Sequence, residues 1–246
     1  MFFFKACYTA GSGGSGRGRN SGYQDQTPRG YASMDSDSST PAFVPAARKQ
    51  RAFITFRGEP YALTGVIPEI GSPAPEFLVY SWLNAERVEI SLSNFLASGV
   101  PLLLSVFASF DTPISRLQAK VFDNRLRAFG EKVLGVQISS DLPSTINRAF
   151  RNEELLSTVG ASDYFDRNFG RAYGVLLEDS AVLARAVFVI DSAGILRYAE
   201  VPEEVTCEPN YDAALSILET LVHEAAARAS GDQISPETIE SGESAS

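Results

Sequence analysis

Apolar and polar positions along the middle of the chain predict strands that alternate with helices. The run from Val100 to Phe107 is almost continuously apolar, as in a strand buried on both faces of a sheet, and Val133 to Ile138 repeats that character. Leu183 to Ile190 and Ile195 to Ala199 predict two strands joined by a tight turn at 191–194. Alternating strands and helices around buried strands indicate a layered α/β fold.

Upstream of these strands the pattern predicts a small β-hairpin. Ala52 to Phe56 and Tyr61 to Thr64 have strand character, and Arg57-Gly58-Glu59-Pro60 separates them. Phe77 to Trp82 predicts a further short strand before the buried ones.

Two helices are marked by apolar stripes. In the first, Asp111 or Thr112 can serve as the N-cap and Pro113 suits the first helical position. Its apolar positions fall at helical spacing: Ile114, Leu117, Val121, Phe122 and Phe129. The second helix lies near the C-terminus, with this stripe: Tyr211, Ala214, Leu215, Leu218, Leu221, Val222 and Ala225.

The content of aliphatic residues is low at both ends of the chain, which predicts one globular domain with a tail at each end. Residues 1–48 contain few aliphatic side chains beyond the first ten positions, which predicts a disordered N-terminal arm. Residues 49–229 form the expected globular domain, and 230–246 are polar and acidic, which predicts a disordered tail.

The charge balance narrows the function classes. A net charge of −9 and a pI near 4.8 disfavour nucleic acid or an anionic membrane as the main partner. No apolar run is long enough to span a bilayer, and no secretory signal is recognisable, so we expect a cytoplasmic protein; an organelle-targeting role for the basic N-terminal arm is an alternative. With Cys7 and Cys207 as the only cysteines and His223 as the only histidine, we expect no metal and no cofactor.

Four motifs resemble those of the thiol peroxidase branch of the peroxiredoxins, the atypical two-cysteine type. They stand in that family's order and spacing: Asp111-Thr112-Pro113, Ser139-Ser140-Asp141-Leu142-Pro143, Ala184-Arg185-Ala186-Val187 and Glu208-Pro209-Asn210-Tyr211-Asp212-Ala213-Ala214-Leu215. The resemblance covers about Ala52 to Leu221. It implies a thioredoxin-like fold with a central mixed β-sheet flanked by helices, an N-terminal β-hairpin and a homodimer. It also implies chemistry in which a peroxidatic cysteine attacks a hydroperoxide and a resolving cysteine then forms a disulfide that thioredoxin reduces.

Carried over to this chain, the resemblance places residues without sulfur at both redox positions. Ser115 stands at the peroxidatic position, Phe150 at the resolving position, and Ala108 where the family has proline, while Thr112 and Arg185 match the family's threonine and arginine. Thr112 is expected to cap the helix and Arg185 to hold a carboxylate; a retained role in binding oxygen or an anion is the alternative for both.

Since a serine hydroxyl lacks the low pKa and the polarizable sulfur of a thiolate, we expect a catalytically inactive protein, not an enzyme, that acts as a binding or assembly module for an unidentified protein partner. A hydrolytic role for Ser115 lacks an adjacent base. The alternative function is an active thiol peroxidase that reduces hydroperoxides with thioredoxin as electron donor, either because cysteines were changed to serine by engineering or because Cys207 supplies the thiol. Cys207 is expected at a strand end, away from the start of the first helix.

Overall fold

The computed structural model describes residues 53–83 and 86–230. The predicted arm at 1–48, with Cys7, lies outside the described residues, and so does the predicted tail except for Ser230. The described part contains ten strands: β1 Phe53–Phe56, β2 Glu59–Thr64, β3 Leu78–Leu83, β4 Glu86–Ser91, β5 Leu102–Phe107, β6 Leu134–Ser139, β7 Thr158–Ser162, β8 Leu176–Leu177, β9 Ala186–Ile190 and β10 Leu196–Glu200. Its five α-helices are α1 Leu92–Leu96, α2 Pro113–Leu126, α3 Pro143–Asn152, α4 Asn168–Ala172 and α5 Tyr211–Ser230.

Seven strands form a mixed sheet in the order β10-β9-β5-β6-β7-β3-β4. β5, β6 and β7 run parallel, and antiparallel strands extend the sheet on both sides. All six residues of β5 are buried, which confirms the two-sided burial that its apolar run predicts. The predicted thioredoxin-like α/β fold is confirmed.

Helices cover both faces of this sheet. On one face, Val187 and Val189 of β9 join a core cluster with Phe122 of α2 and Leu215 of α5. On the other face, the ring of Phe188 meets Tyr173 with centroids 5.0 Å apart. Because successive residues of a strand point to opposite faces, β9 contributes to both layers.

The predicted N-terminal hairpin is present as β1 and β2. Phe56 pairs with Glu59, so the turn consists of Arg57 and Gly58 alone. Both have positive φ, 54° and 85°, which is the backbone geometry of the tightest two-residue hairpins. β2 therefore begins at Glu59, two positions earlier than Tyr61, where the apolar pattern starts it.

Two other boundaries differ from the sequence prediction by three residues each. The first predicted helix ends at Leu126, and Phe129 belongs to a 3₁₀ segment, Arg127–Lys132, that packs against the core. The predicted strand from Leu183 begins only at Ala186, because Leu183 pairs with Leu176 of the short strand β8. No helix in the described part of the chain is long and apolar enough to cross a membrane.

Candidate active site

The start of α2 is held in place by the carboxylate of Asp141. Asp141 accepts hydrogen bonds from the Ser109 hydroxyl at 2.8 Å, the Phe110 N–H at 2.8 Å and the Ser139 hydroxyl at 2.9 Å. These donors come from the loop after β5 and from the end of β6. The carboxylate of the Ser139-Ser140-Asp141 motif therefore fixes the turn that leads into α2.

Thr112 and Ser115 present two hydroxyls in the first turn of α2. Their oxygens lie 2.6 Å apart, and Ser115 is buried with 1% of its surface exposed. Thr112 occupies the N-cap position, as predicted, but its side chain makes no capping hydrogen bond to a helix N–H. Its hydroxyl instead contacts Ser115 and the Ser109 carbonyl. The expectation that the Thr112 side chain caps the helix was wrong, because that side chain is engaged with Ser115.

Arg185 is a buried cation whose guanidinium binds a backbone carbonyl and a side-chain amide. Its Nε donates to the Val205 carbonyl at 3.1 Å and its Nη1 donates to Gln118 Oε1. Among the described residues, none accepts a hydrogen bond from Nη2, although only 5% of the Arg185 surface is exposed. The expectation that Arg185 holds a carboxylate was therefore wrong, because a carbonyl and an amide accept its hydrogen bonds. Burial lowers the pKa of Arg185, and the nearby Glu208 carboxylate partly offsets this effect.

Gln118 joins Arg185 to α2, a contact that the sequence prediction missed. Its side-chain amide donates to the Ser105 hydroxyl at 2.9 Å and to the Val106 carbonyl at 3.3 Å, which leaves Oε1 to accept from Arg185. Gln118 follows Ser115 by three positions, so both lie on one face of the helix. The available signal was a glutamine aligned with the apolar stripe, four residues after Ile114 and four before Phe122.

The segment that leads into Arg185 is tied to the same end of the sheet. The Ser140 N–H donates to the Ala108 carbonyl at 3.0 Å, and the Ser140 hydroxyl accepts from the Leu183 N–H at 2.8 Å. Ser140 therefore joins the loop before α2 to the segment that carries Arg185. Ala108, at the family's proline position, contributes its carbonyl to this connection.

Phe150 on α3 packs in an apolar cluster. Its ring meets that of Phe110 with centroids 5.6 Å apart and planes at 72°. Gly160 on β7 makes room for the ring, since a Cβ at that position would lie 2.7 Å from a Phe150 ring carbon. The cluster's buried members are Phe107, Phe110, Ala119, Ile146 and Leu155. Phe150 therefore has a packing role at the position that the resemblance assigns to the resolving cysteine.

Cys207 lies in the connection between β10 and α5. It follows Val205, whose carbonyl binds Arg185, by two positions. Cys207 is exposed and forms no disulfide with any residue that the structure describes. The chain after β10 passes beside Arg185, and the expectation that Cys207 lies away from the start of α2 stays a prediction. No cluster of three or more metal-ligating side chains occurs among the described residues.

The arrangement favours binding of a small polar oxygen compound. Two hydroxyls stand at a helix N-terminus, where free N–H groups and the helix dipole favour negative charge. The Arg185 guanidinium, whose Nη2 has no acceptor among the described residues, binds Gln118 one helical turn after Ser115. A buried guanidinium stabilises negative charge on oxygen more strongly than an exposed one does.

The fold is that of a redoxin, and the Redoxin family matches residues 69–215. The chain belongs to the thiol peroxidase-type peroxiredoxin family. The thiol peroxidase of Streptococcus pneumoniae R6 is 35% identical over 168 residues, which are 68% of this chain and 99% of that protein. The thiol peroxidase of Mycobacterium bovis is 38% identical over 170 residues, 68% of this chain and 98% of that protein. A crystal structure of a peroxiredoxin-like protein from Aquifex aeolicus superposes with a TM-score of 0.62 at 29% identity, covering 70% of this chain and 98% of that one.

These relatives correct one prediction. The expectation that the chain is not an enzyme was wrong, because relatives at 35% and 38% identity that it covers almost completely are named thiol peroxidase, an enzyme family. The correspondence of Ser115 and Phe150 to the two redox positions stays a prediction of the resemblance.

Proposed function

We propose that the protein is a thiol peroxidase that reduces hydroperoxides at the expense of an external thiol, with Cys207 as the reacting thiol. One observation carries the proposal: Arg185 binds Gln118, one helical turn after Ser115, and it also binds the Val205 carbonyl, two positions before Cys207. Family membership supports the reaction class, and Ser115, with no sulfur, requires the thiol to come from elsewhere in the chain.

In the proposed reaction, the hydroperoxide lies between the two hydroxyls and the guanidinium. The Thr112 and Ser115 hydroxyls bind its oxygens, and the free Nη2 of Arg185 donates to the oxygen on which charge develops. The Cys207 thiolate attacks the distal oxygen: an S–O bond forms, the O–O bond breaks, and the departing oxygen takes a proton to become an alcohol or water. Cys207 is thereby oxidised to the sulfenic acid.

Reduction of the sulfenic acid requires two external thiol groups. The first condenses with it, releases water and leaves a mixed disulfide; the second attacks that disulfide, restores the Cys207 thiol and leaves the reductant as a disulfide. Phe150 supplies no sulfur for an intramolecular disulfide. A dithiol reductant of the thioredoxin type provides both thiols.

The test is consumption of hydrogen peroxide and an alkyl hydroperoxide under excess thioredoxin system or dithiothreitol. Cys207→Ser is expected to reduce turnover to the level of the reductant alone, and Cys7→Ser, the matched control, is expected to retain it. No turnover by the natural chain above the reductant background would overturn the proposed function. Loss of turnover in Cys7→Ser instead would overturn the assignment to Cys207.

We further propose that the protein is a homodimer in the cytoplasm, and that an unidentified protein partner binds it. Family membership supports the dimer. A monomeric mass in solution at micromolar concentration would overturn the dimer, and location of the tagged full chain in an organelle would overturn the cytoplasmic assignment. Chemical cross-linking in cells that yields only the chain itself would overturn the protein partner.

A further inference from the structure

One carboxylate fastens the N-terminal hairpin to the segment between β10 and α5. Glu204 accepts from the Thr55 hydroxyl at 2.8 Å and the Arg57 N–H at 3.1 Å, with the Gly58 N–H at 3.5 Å. The hydroxyl and N–H of Thr206, on its own segment, add contacts of 3.0 and 3.4 Å. The carboxylate therefore joins two parts of the chain that lie about 150 positions apart.

Backbone hydrogen bonds accompany this carboxylate. The Thr55 N–H donates to the Glu203 carbonyl at 2.7 Å, and the Val205 N–H donates to the Thr55 carbonyl at 2.9 Å. The Val205 carbonyl in turn accepts from Nε of Arg185 at 3.1 Å. The hairpin thus holds the N–H side of Val205, while Arg185 binds its carbonyl side.

The hairpin turn presents its donors to a negative charge. Arg57 and Gly58 both have positive φ, and their successive N–H groups both face the Glu204 carboxylate. Desolvation alone would raise the pKa of Glu204, but the hydrogen bonds from Arg57, Thr55 and Thr206 outweigh it and lower the pKa to about 2. The carboxylate is therefore ionised at neutral pH.

We propose that Glu204 is a positioning residue for Arg185. By binding the hairpin turn it fixes residues 203–207, and with them the Val205 carbonyl that orients the guanidinium. The same segment carries Cys207, so one carboxylate sets the placement of both the cation and the thiol. The catalytic consequence rests on the proposed function, whereas the effect on Arg185 does not.

A purely structural role for Glu204 would look different. If Glu204 only stabilised the hairpin, its removal would expose the Thr55 and Val205 amides to exchange and lower the melting temperature without affecting Arg185. A positioning role requires a change at the guanidinium itself. Proton exchange of the Arg185 Nε–H, resolved by NMR, reports the hydrogen bond to Val205 directly.

The experiment compares Glu204→Ala and Glu204→Gln with Glu59→Ala. Glu59 is an exposed glutamate of the same hairpin, and its carboxylate accepts no hydrogen bond from the described residues. Glu204→Ala is expected to accelerate Arg185 Nε–H exchange and to lower kcat/KM for hydroperoxide, each by about tenfold, the effect of losing one aligned hydrogen bond. Glu204→Gln keeps one acceptor oxygen, so its exchange rate and its kcat/KM are expected to lie between those of Glu204→Ala and of the natural chain. Glu59→Ala is expected to match the natural chain in both quantities.

Unchanged Arg185 Nε–H exchange in both Glu204 variants would overturn the proposal, even if the hairpin amides lost protection. Equal acceleration in Glu59→Ala would also overturn it, because the effect would then come from lost negative charge in general. If the natural chain shows no peroxide turnover, the proposed function fails, but the exchange measurement still decides the role of Glu204. Should Glu204→Ala fail to fold, Glu204→Gln alone provides the same test.

Discussion

The ring of Phe150 stands edge-on to the ring of Phe110, with centroids 5.6 Å apart and planes at 72°. Phe110 lies directly before Asp111-Thr112-Pro113, and its N–H is bound by Asp141. The residue at the predicted resolving position therefore packs against the loop that positions Thr112 and Ser115. Packing of α3 and placement of the α2 hydroxyls are coupled through this pair.

Phe150→Ala is expected to lower the free energy of unfolding by about 2 kcal/mol, less than for a fully buried phenylalanine because Phe150 is only half-buried. Denaturant unfolding measures this change, and Phe150→Leu, which keeps most of the apolar volume, is expected to lose less than half as much. Equal stability of Phe150→Ala and the natural chain would show that this aromatic contact contributes nothing to α3 packing.

Ser115→Cys is expected to increase peroxide turnover by at least about tenfold. The new thiol would stand in the first turn of α2, where free N–H groups and the helix dipole favour a thiolate, with Thr112 2.6 Å from the present hydroxyl. Initial rates under excess reductant test the increase, and Ser216→Cys, at an exposed position on α5, provides the control thiol. No gain in Ser115→Cys would mean that this pocket does not bind peroxide.

Much of the fold could be predicted because β5, β6 and β9 are buried on both faces and their apolar runs are unambiguous. The short elements β8 and α4 could not, since two to five residues carry no readable period. In the site, Thr112, Ser115 and Arg185 were recognised from motifs. Their bonds were not, because a motif does not specify which acceptor a guanidinium finds after folding.

The contacts around Gln118 and Cys207 could not be predicted from the sequence. Gln118 stands in an apolar stripe, where its amide gives no sign of the partner that it will meet on another strand. Cys207 lies in a connection between β10 and α5, and the path of such a connection depends on contacts with the distant hairpin through Glu204. Long-range contacts of this kind have no local signature.

Gln118→Leu is expected to lower peroxide kcat/KM by about tenfold and the free energy of unfolding by about 1–3 kcal/mol. The substitution removes the acceptor of Arg185 Nη1 and leaves the Ser105 hydroxyl without its donor. Gln118→Glu keeps an acceptor for Arg185, so it is expected to retain more activity than Gln118→Leu. A kcat/KM for Gln118→Leu equal to that of the natural chain would show that orientation of Arg185 by Gln118 does not affect catalysis.

Asp163 is expected to make stability depend on pH near neutrality. It is 1% exposed, and its carboxylate accepts from the Phe169 and Gly170 N–H groups at 3.0 and 2.9 Å. Burial raises the pKa of Asp163 from 3.8 to about 7; the two N–H bonds and Arg171 oppose this rise, while Asp166 adds to it. The folded protein therefore holds a proton between about pH 4 and 7 that the unfolded chain has released.

Because the folded state binds this extra proton, protonation of Asp163 favours folding. Its contribution to the free energy of unfolding is complete below about pH 4 and is lost as pH rises through 7. The difference of roughly three pKa units corresponds to about 4 kcal/mol in total. Asp163→Asn cannot titrate at this position, so it serves as the reference. The free energy of unfolding of the natural chain, minus that of the variant, should decrease as pH rises from 5 to 8. Urea unfolding of both proteins across that range measures the difference, which cancels titrations common to the two. A difference that stays constant with pH would mean that Asp163 is ionised throughout and that its two N–H donors outweigh its burial.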